Sequence, residues 1–290
     1  AHGSGPDLPT DQRFEDGGSL VFDTEPLAER VEILGAPVVE LEVAADRPVA
    51  FVVARLSDVA PDGAATRVTY GVLNLTHKDG HAAPAPLTPG RRYRVRLELG
   101  DVAQAFPPGH RVRLALSTAY WPIVWPAPEP VTLTVVTGTS TLELPVRPPD
   151  PADAELPPLP PPEAPPPLPT TVLESARATR TIHHDIAAGV VTQETCQDSG
   201  LYRLDDIDLT VQTVVTERYE IRPDDPLSAR AEVASTVRMR RGDWRIETRT
   251  RAALSATREE FRVQATLDAF EGEARVFGQS WNTAVPRDLV

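Results

Sequence analysis

Val39-Glu40-Leu41-Glu42-Val43 alternates apolar and acidic residues. Successive side chains of a strand point to opposite faces, so this stretch predicts a half-buried β-strand with Val39, Leu41 and Val43 turned to a core and Glu40 and Glu42 turned to water. Working outward, the same strand-like patterning extends over residues 50–56, 66–75, 93–99, 111–117, 131–136 and 141–146. Turn chemistry separates these runs at Pro61-Asp62-Gly63, Asp79-Gly80, Thr88-Pro89-Gly90 and Pro107-Pro108-Gly109. Eight or nine short strands with no sustained helical period predict an all-β domain, a jelly-roll β-sandwich, over residues 1–147.

Residues 148–169 hold 12 prolines in 22 positions. Proline fixes φ and lacks the amide proton that helices and ladders use, so this segment predicts an extended polyproline linker, reaching roughly 60–70 Å if fully stretched. Beyond it, residues 170–290 read as longer strands joined by tight turns. Ala231, Val233, Val237 and Met239 share one strand face, Trp244, Ile246 and Leu254 the next, and Phe261, Val263 and Leu267 a third. Turns at Arg241-Gly242-Asp243, Ala256-Thr257-Arg258 and Glu271-Gly272-Glu273 would fold them into an antiparallel meander. The other face carries Arg238, Arg240, Arg245, Arg249 and Arg262 beside Glu232, Glu247 and Glu260, the composition of a solvated sheet face. A second antiparallel β-sheet domain is therefore expected.

The 290-residue chain carries a formal net charge of -13, which would repel a phosphate backbone and argues against nucleic acid as a partner. No apolar run is long enough to cross a bilayer as a helix, so no membrane partner is expected. Cys196 is the only cysteine, which rules out an internal disulfide and fits a reducing cytoplasm. The chain opens Ala1-His2-Gly3-Ser4-Gly5 without an initiator methionine, so a leader on a longer parent cannot be read from it.

Catalytic motifs are missing. A serine nucleophile of the α/β-hydrolase type sits on a G-x-S-x-G elbow between a strand and a helix, and the nearest string, Gly278-Gln279-Ser280-Trp281-Asn282, lacks the second glycine and the helix. No glycine-rich phosphate loop occurs. Of six histidines, His77 and His81 lie in one loop with Lys78 and Asp79 between them, which reads as a polar loop rather than a metal site. His183 and His184 are neighbours on an expected strand and point to opposite faces. No catalytic residue, metal ligand or cofactor is expected. Ser117-Thr118-Ala119-Tyr120-Trp121-Pro122-Ile123-Val124-Trp125-Pro126 is the most unusual apolar segment. Its three large aromatics need cover, which either the sandwich core or a neighbouring domain can supply, so Tyr120, Trp121 and Trp125 are candidate docking residues; a sugar ring stacked on them is a further alternative.

Several segments, in this order, resemble one family. Ser19-Leu20-Val21-Phe22-Asp23-Thr24-Glu25-Pro26-Leu27, Ile33-Leu34-Gly35-Ala36-Pro37, Phe106-Pro107-Pro108-Gly109-His110-Arg111-Val112-Arg113-Leu114 and Tyr120-Trp121-Pro122 are similar to the C-terminal domain of CocE/NonD hydrolases, relatives of the X-Pro dipeptidyl-peptidases. The likeness covers residues 10 to 147; the region ending in Pro286-Arg287-Asp288-Leu289-Val290 resembles a C-terminal extension of one bacterial branch. It implies a galactose-binding-like jelly roll that packs on an absent α/β-hydrolase domain, helps wall its active site and supports homo-oligomers. The Ser-Asp-His triad of such enzymes lies in that absent domain, and His2, the one histidine near the entry, lacks the expected neighbourhood. The rival class is a free-standing carbohydrate- or ligand-binding module, which rests on fold analogy alone.

Overall fold

The computed structural model describes residues 11–290; His2 lies outside them. After a single helical turn α1 (Arg13–Asp16), ten strands follow: β1 (Leu20–Asp23), β2 (Val31–Gly35), β3 (Val38–Ala45), β4 (Phe51–Val59), β5 (Ala65–Asn74), β6 (Tyr93–Glu98), β7 (Val102–Phe106), β8 (Arg111–Ser117), β9 (Leu133–Val135) and β10 (Thr141–Glu143). They pair antiparallel into one sheet of order β1-β8-β4-β5, a second of order β10-β3-β6 with β9 also on β3, and a β2-β7 ribbon. All the runs expected before the proline-rich segment are strands. β1, β2 and β7 were not anticipated, because at four, five and five residues each is too short to establish a period.

The core lies between the two larger sheets. Val39, Leu41 and Val43 of β3 meet Val52, Ala54 and Leu56 of β4, Val95 and Leu97 of β6, and Val112, Leu114 and Leu116 of β8, all buried. Each of these valines and leucines is worth about 1.5–3 kcal/mol relative to exposure. β4 departs from a half-buried strand: eight of its nine residues are buried. Its second face, that of Phe51, Val53, Arg55 and Ser57, is covered as well, and Arg55 there bonds to Gln12 and to Asp16 of α1. Ala50-Phe51-Val52-Val53-Ala54 is accordingly an unbroken apolar run, as a strand buried on both sides requires.

The proline-rich segment is not extended throughout. Pro151–Glu155 forms a 3₁₀ turn. Pro151 is tolerated at its start because that amide needs no partner there, the Asp150 carboxylate accepts from the Ala152 amide at 2.9 Å, and Arg147 grips Asp153 through two bonds of 2.6 Å. That pair raises the arginine pKa and lowers the carboxyl pKa.

The chain divides into two compact units, one reaching Leu159 and including Leu289–Val290, the other spanning Pro160–Asp288. The second unit holds β11 (Thr170–Glu174), β12 (Arg177–Asp185), β13 (Val190–Asp198), β14 (Leu201–Leu204), β15 (Leu209–Arg222), β16 (Asp225–Arg241), β17 (Trp244–Ala256), β18 (Glu260–Glu271) and β19 (Ala274–Pro286) in one antiparallel sheet. The expected three-stranded meander is its β16-β17-β18 part, which β15 and β19 extend on either side, with Gly242 and Gly272 at φ 56° and 59° in hairpin turns. The faces are as read from the sequence: Met239 stands opposite Ile246, Ala231 opposite Leu254, and Leu254 opposite Val263. On the other face Arg238 donates to Glu247 at 2.7 Å and Arg262 to Glu260 at 2.8 Å, exposed pairs worth little to stability.

Candidate functional site

The outer face of the β1-β8-β4-β5 sheet concentrates the chemistry of the first unit. Residues alternate along each strand, so Asp23 of β1, Arg113 of β8, Arg55 of β4 and Tyr70 of β5 come into line, with Asp23 opposite Arg113 and Arg55 opposite both Ala115 and Tyr70. Arg55, the largest of the fully buried side chains, donates to Gln12 Oε1 at 2.8 Å, Asp16 Oδ1 at 3.0 Å and Ser19 Oγ at 3.1 Å. Arg113 reaches Asp16 Oδ2 at 3.0 Å and holds both oxygens of Asp23 at 2.7 Å. The bidentate grip pulls the Asp23 carboxyl below its ordinary pKa and raises that of the Arg113 guanidinium. Two segments 90 positions apart in sequence, those around Asp23 and Arg113, are thereby locked as neighbouring strands.

The aromatic segment adjoins this network. Tyr120 meets the ring of Tyr70 edge-on at 5.2 Å, accepts a hydrogen bond from Arg67 Nη1 and lies 5.9 Å from the Arg55 guanidinium. Trp121 and Trp125 pack edge-on against each other, centroids 5.2 Å apart at 81°, across a cis Trp121–Pro122 peptide, while the Val124 amide closes a turn onto the Tyr120 carbonyl at 2.8 Å. All three aromatics are half-buried and Ile123 between them is 46% exposed. The segment is thus anchored to its own unit and still offers apolar surface to a partner.

Ser280 lies in extended β19, opposite Thr266, with no elbow or following helix. His183 and His184 sit on β12, and His110 bonds Asp58 at 2.7 Å. Among the described residues no group of three or more His, Cys, Asp or Glu could hold a metal ion, and no helix is long and apolar enough to cross a membrane. The Arg55 network escaped sequence reading, although one signal was present: an arginine inside an apolar strand run must find a carboxylate.

A family model described as the X-Pro dipeptidyl-peptidase C-terminal non-catalytic domain matches residues 2–186, more than half of the chain. The chain belongs to this family. The chain is 28% identical over 121 residues to the cocaine esterase of Rhodococcus sp., a match that covers 41% of the chain and 21% of the esterase. Among solved structures, an α-amino acid ester hydrolase matches with 28% identity and a TM-score of 0.46 over 48% of this chain and 28% of its own. An aminopeptidase from a marine-sediment Thaumarchaeota archaeon matches over the same shares with 24% identity and a TM-score of 0.46. The chain spans about a fifth of the length of the esterase. Membership makes the matched region a non-catalytic domain, in keeping with the missing nucleophile motif.

Proposed function

We propose that this chain is the accessory C-terminal region of an α/β-hydrolase-type serine hydrolase of the X-Pro dipeptidyl-peptidase or acyl-esterase class, and that its first domain, a jelly roll over residues 1–147, docks on the catalytic domain of the same parent through Tyr120, Trp121 and Trp125. The observation that carries this reading is the half-buried, rigidly braced aromatic segment with Ile123 exposed at its tip, joined to a β-sandwich of the non-catalytic family. Aromatic side chains on a fixed frame cover a large area at small entropic cost, which is what a domain interface needs. Residues 148–169 act as a linker to the β extension at 170–290. Without the catalytic domain, the same patch brings two copies together as a homo-oligomer.

Mixing the chain with the catalytic part of its parent reading frame tests this. Association that weakens in Ile123→Ser and Trp121→Ser supports the assignment. Association equal in all three places the interface elsewhere, and none at all defeats the accessory role.

A further inference from the structure

His77 and His81 converge within their loop. Leu75–His77 forms a 3₁₀ turn whose Leu75 and Thr76 are buried, and the Asn74 side chain accepts from the Thr76 amide at 3.1 Å. Gly80, at φ 120°, turns the chain back, its amide on the His77 carbonyl at 2.9 Å, and the Ala85 amide returns to the Thr76 carbonyl at 2.9 Å. The two imidazoles end with ring centroids 5.2 Å apart and their Nδ1 atoms 3.1 Å apart.

That separation is close to the bite of a chelate. Two imidazole nitrogens bound to one zinc ion at 2.0–2.1 Å stand about 3.3 Å apart across a tetrahedral edge. The cation between them in sequence is already engaged: the Lys78 ammonium is 2.6 Å from Asp79 and 5.1 Å from the centre of the Tyr93 ring. No third protein ligand joins them among the described residues, which leaves the remaining coordination positions to water or an added ligand. Imidazole pairs of this kind suit late divalent transition metals rather than calcium or magnesium. We propose that His77 and His81 form a bidentate site for such an ion, with zinc as the ion to test.

The untagged full chain is titrated calorimetrically with zinc chloride. The expected result is one site per chain that weakens roughly a hundredfold in His77→Gln and in His81→Gln, because losing either ring abolishes the chelate. His2→Gln and the pair His183→Gln with His184→Gln leave it unchanged. Circular dichroism confirms that each variant is folded. Zinc uptake that persists in the His77→Gln, His81→Gln double variant, or no uptake by the parent chain, overturns the proposal and leaves the Nδ1 contact a hydrogen bond only.

Discussion

The Arg55 guanidinium donates to the Asp16 carboxylate at 3.0 Å, with the two side chains only 2% and 5% exposed. A charge taken this far from water is tolerated because its partners are in place, and removing one strands the other. Asp16→Ala should therefore destabilise the first unit by roughly 3–5 kcal/mol, even though Gln12 and Ser19 still accept from Arg55. Combining it with Arg55→Met should cost less than the sum of the two single changes, since the stranded charge is gone. Urea unfolding of the three variants checks this; additive losses would mean that the two residues act independently.

Asp23 gives the fold an acid sensitivity of known sign. Its folded pKa is lowered, by the Arg113 hydrogen bonds first of all, so the unfolded chain, with an aspartate pKa of about 3.9, takes up the proton more readily as pH falls. The contribution is fully present above that unfolded value and disappears as pH drops through the folded one. Asp23→Asn should lower the melting temperature at pH 7 and flatten its fall between about pH 5 and pH 2. An unchanged acid slope would show that other carboxylates govern it.

Substitutions in the aromatic segment should separate by position. Ile123→Ser, at the exposed tip, should raise the solubility of the isolated chain with little change in melting temperature. Trp125→Ser removes a half-buried ring packed on Trp121 and should cost stability as well, though less than the 3–5 kcal/mol typical of emptying a core site. Full core-sized losses at Trp121 and Trp125, with no gain in solubility, would refute a docking role.

Much of this architecture is legible in the sequence because alternation is a local signal. Val39, Leu41 and Val43 declare the buried face of β3 without reference to any other strand, and Arg241-Gly242-Asp243 declares the β16-β17 hairpin. What could not be read depends on partners distant in the chain. Arg55 finds Asp16 across 39 positions and Arg113 finds Asp23 across 90, and nothing near either residue names the partner. The same holds within the loop at His77, where a spacing of four says nothing about convergence until Gly80 has turned the backbone. The aromatic segment was visible by composition, but its bracing by Arg67 and Tyr70 follows only from the β5 register.

The proline-rich segment should be where the chain is cut. Residues 157–168 have no helix or strand and are exposed, whereas Pro151–Glu155 is held by the Arg147–Asp153 grip. Limited proteolysis should therefore leave two β-rich fragments with ends between 156 and 169. Cuts scattered through both halves would contradict a two-domain division.

The central claim, that this is a non-catalytic domain of a hydrolase family, is tested most directly by assaying the purified chain with a p-nitrophenyl ester and an X-Pro-nitroanilide in the presence and absence of a serine-directed phosphonate. No turnover that the phosphonate removes is expected, because no described serine sits on a strand-to-helix elbow. Hydrolysis of either substrate that the phosphonate abolishes, with the reagent bound to a serine of this chain, would contradict it.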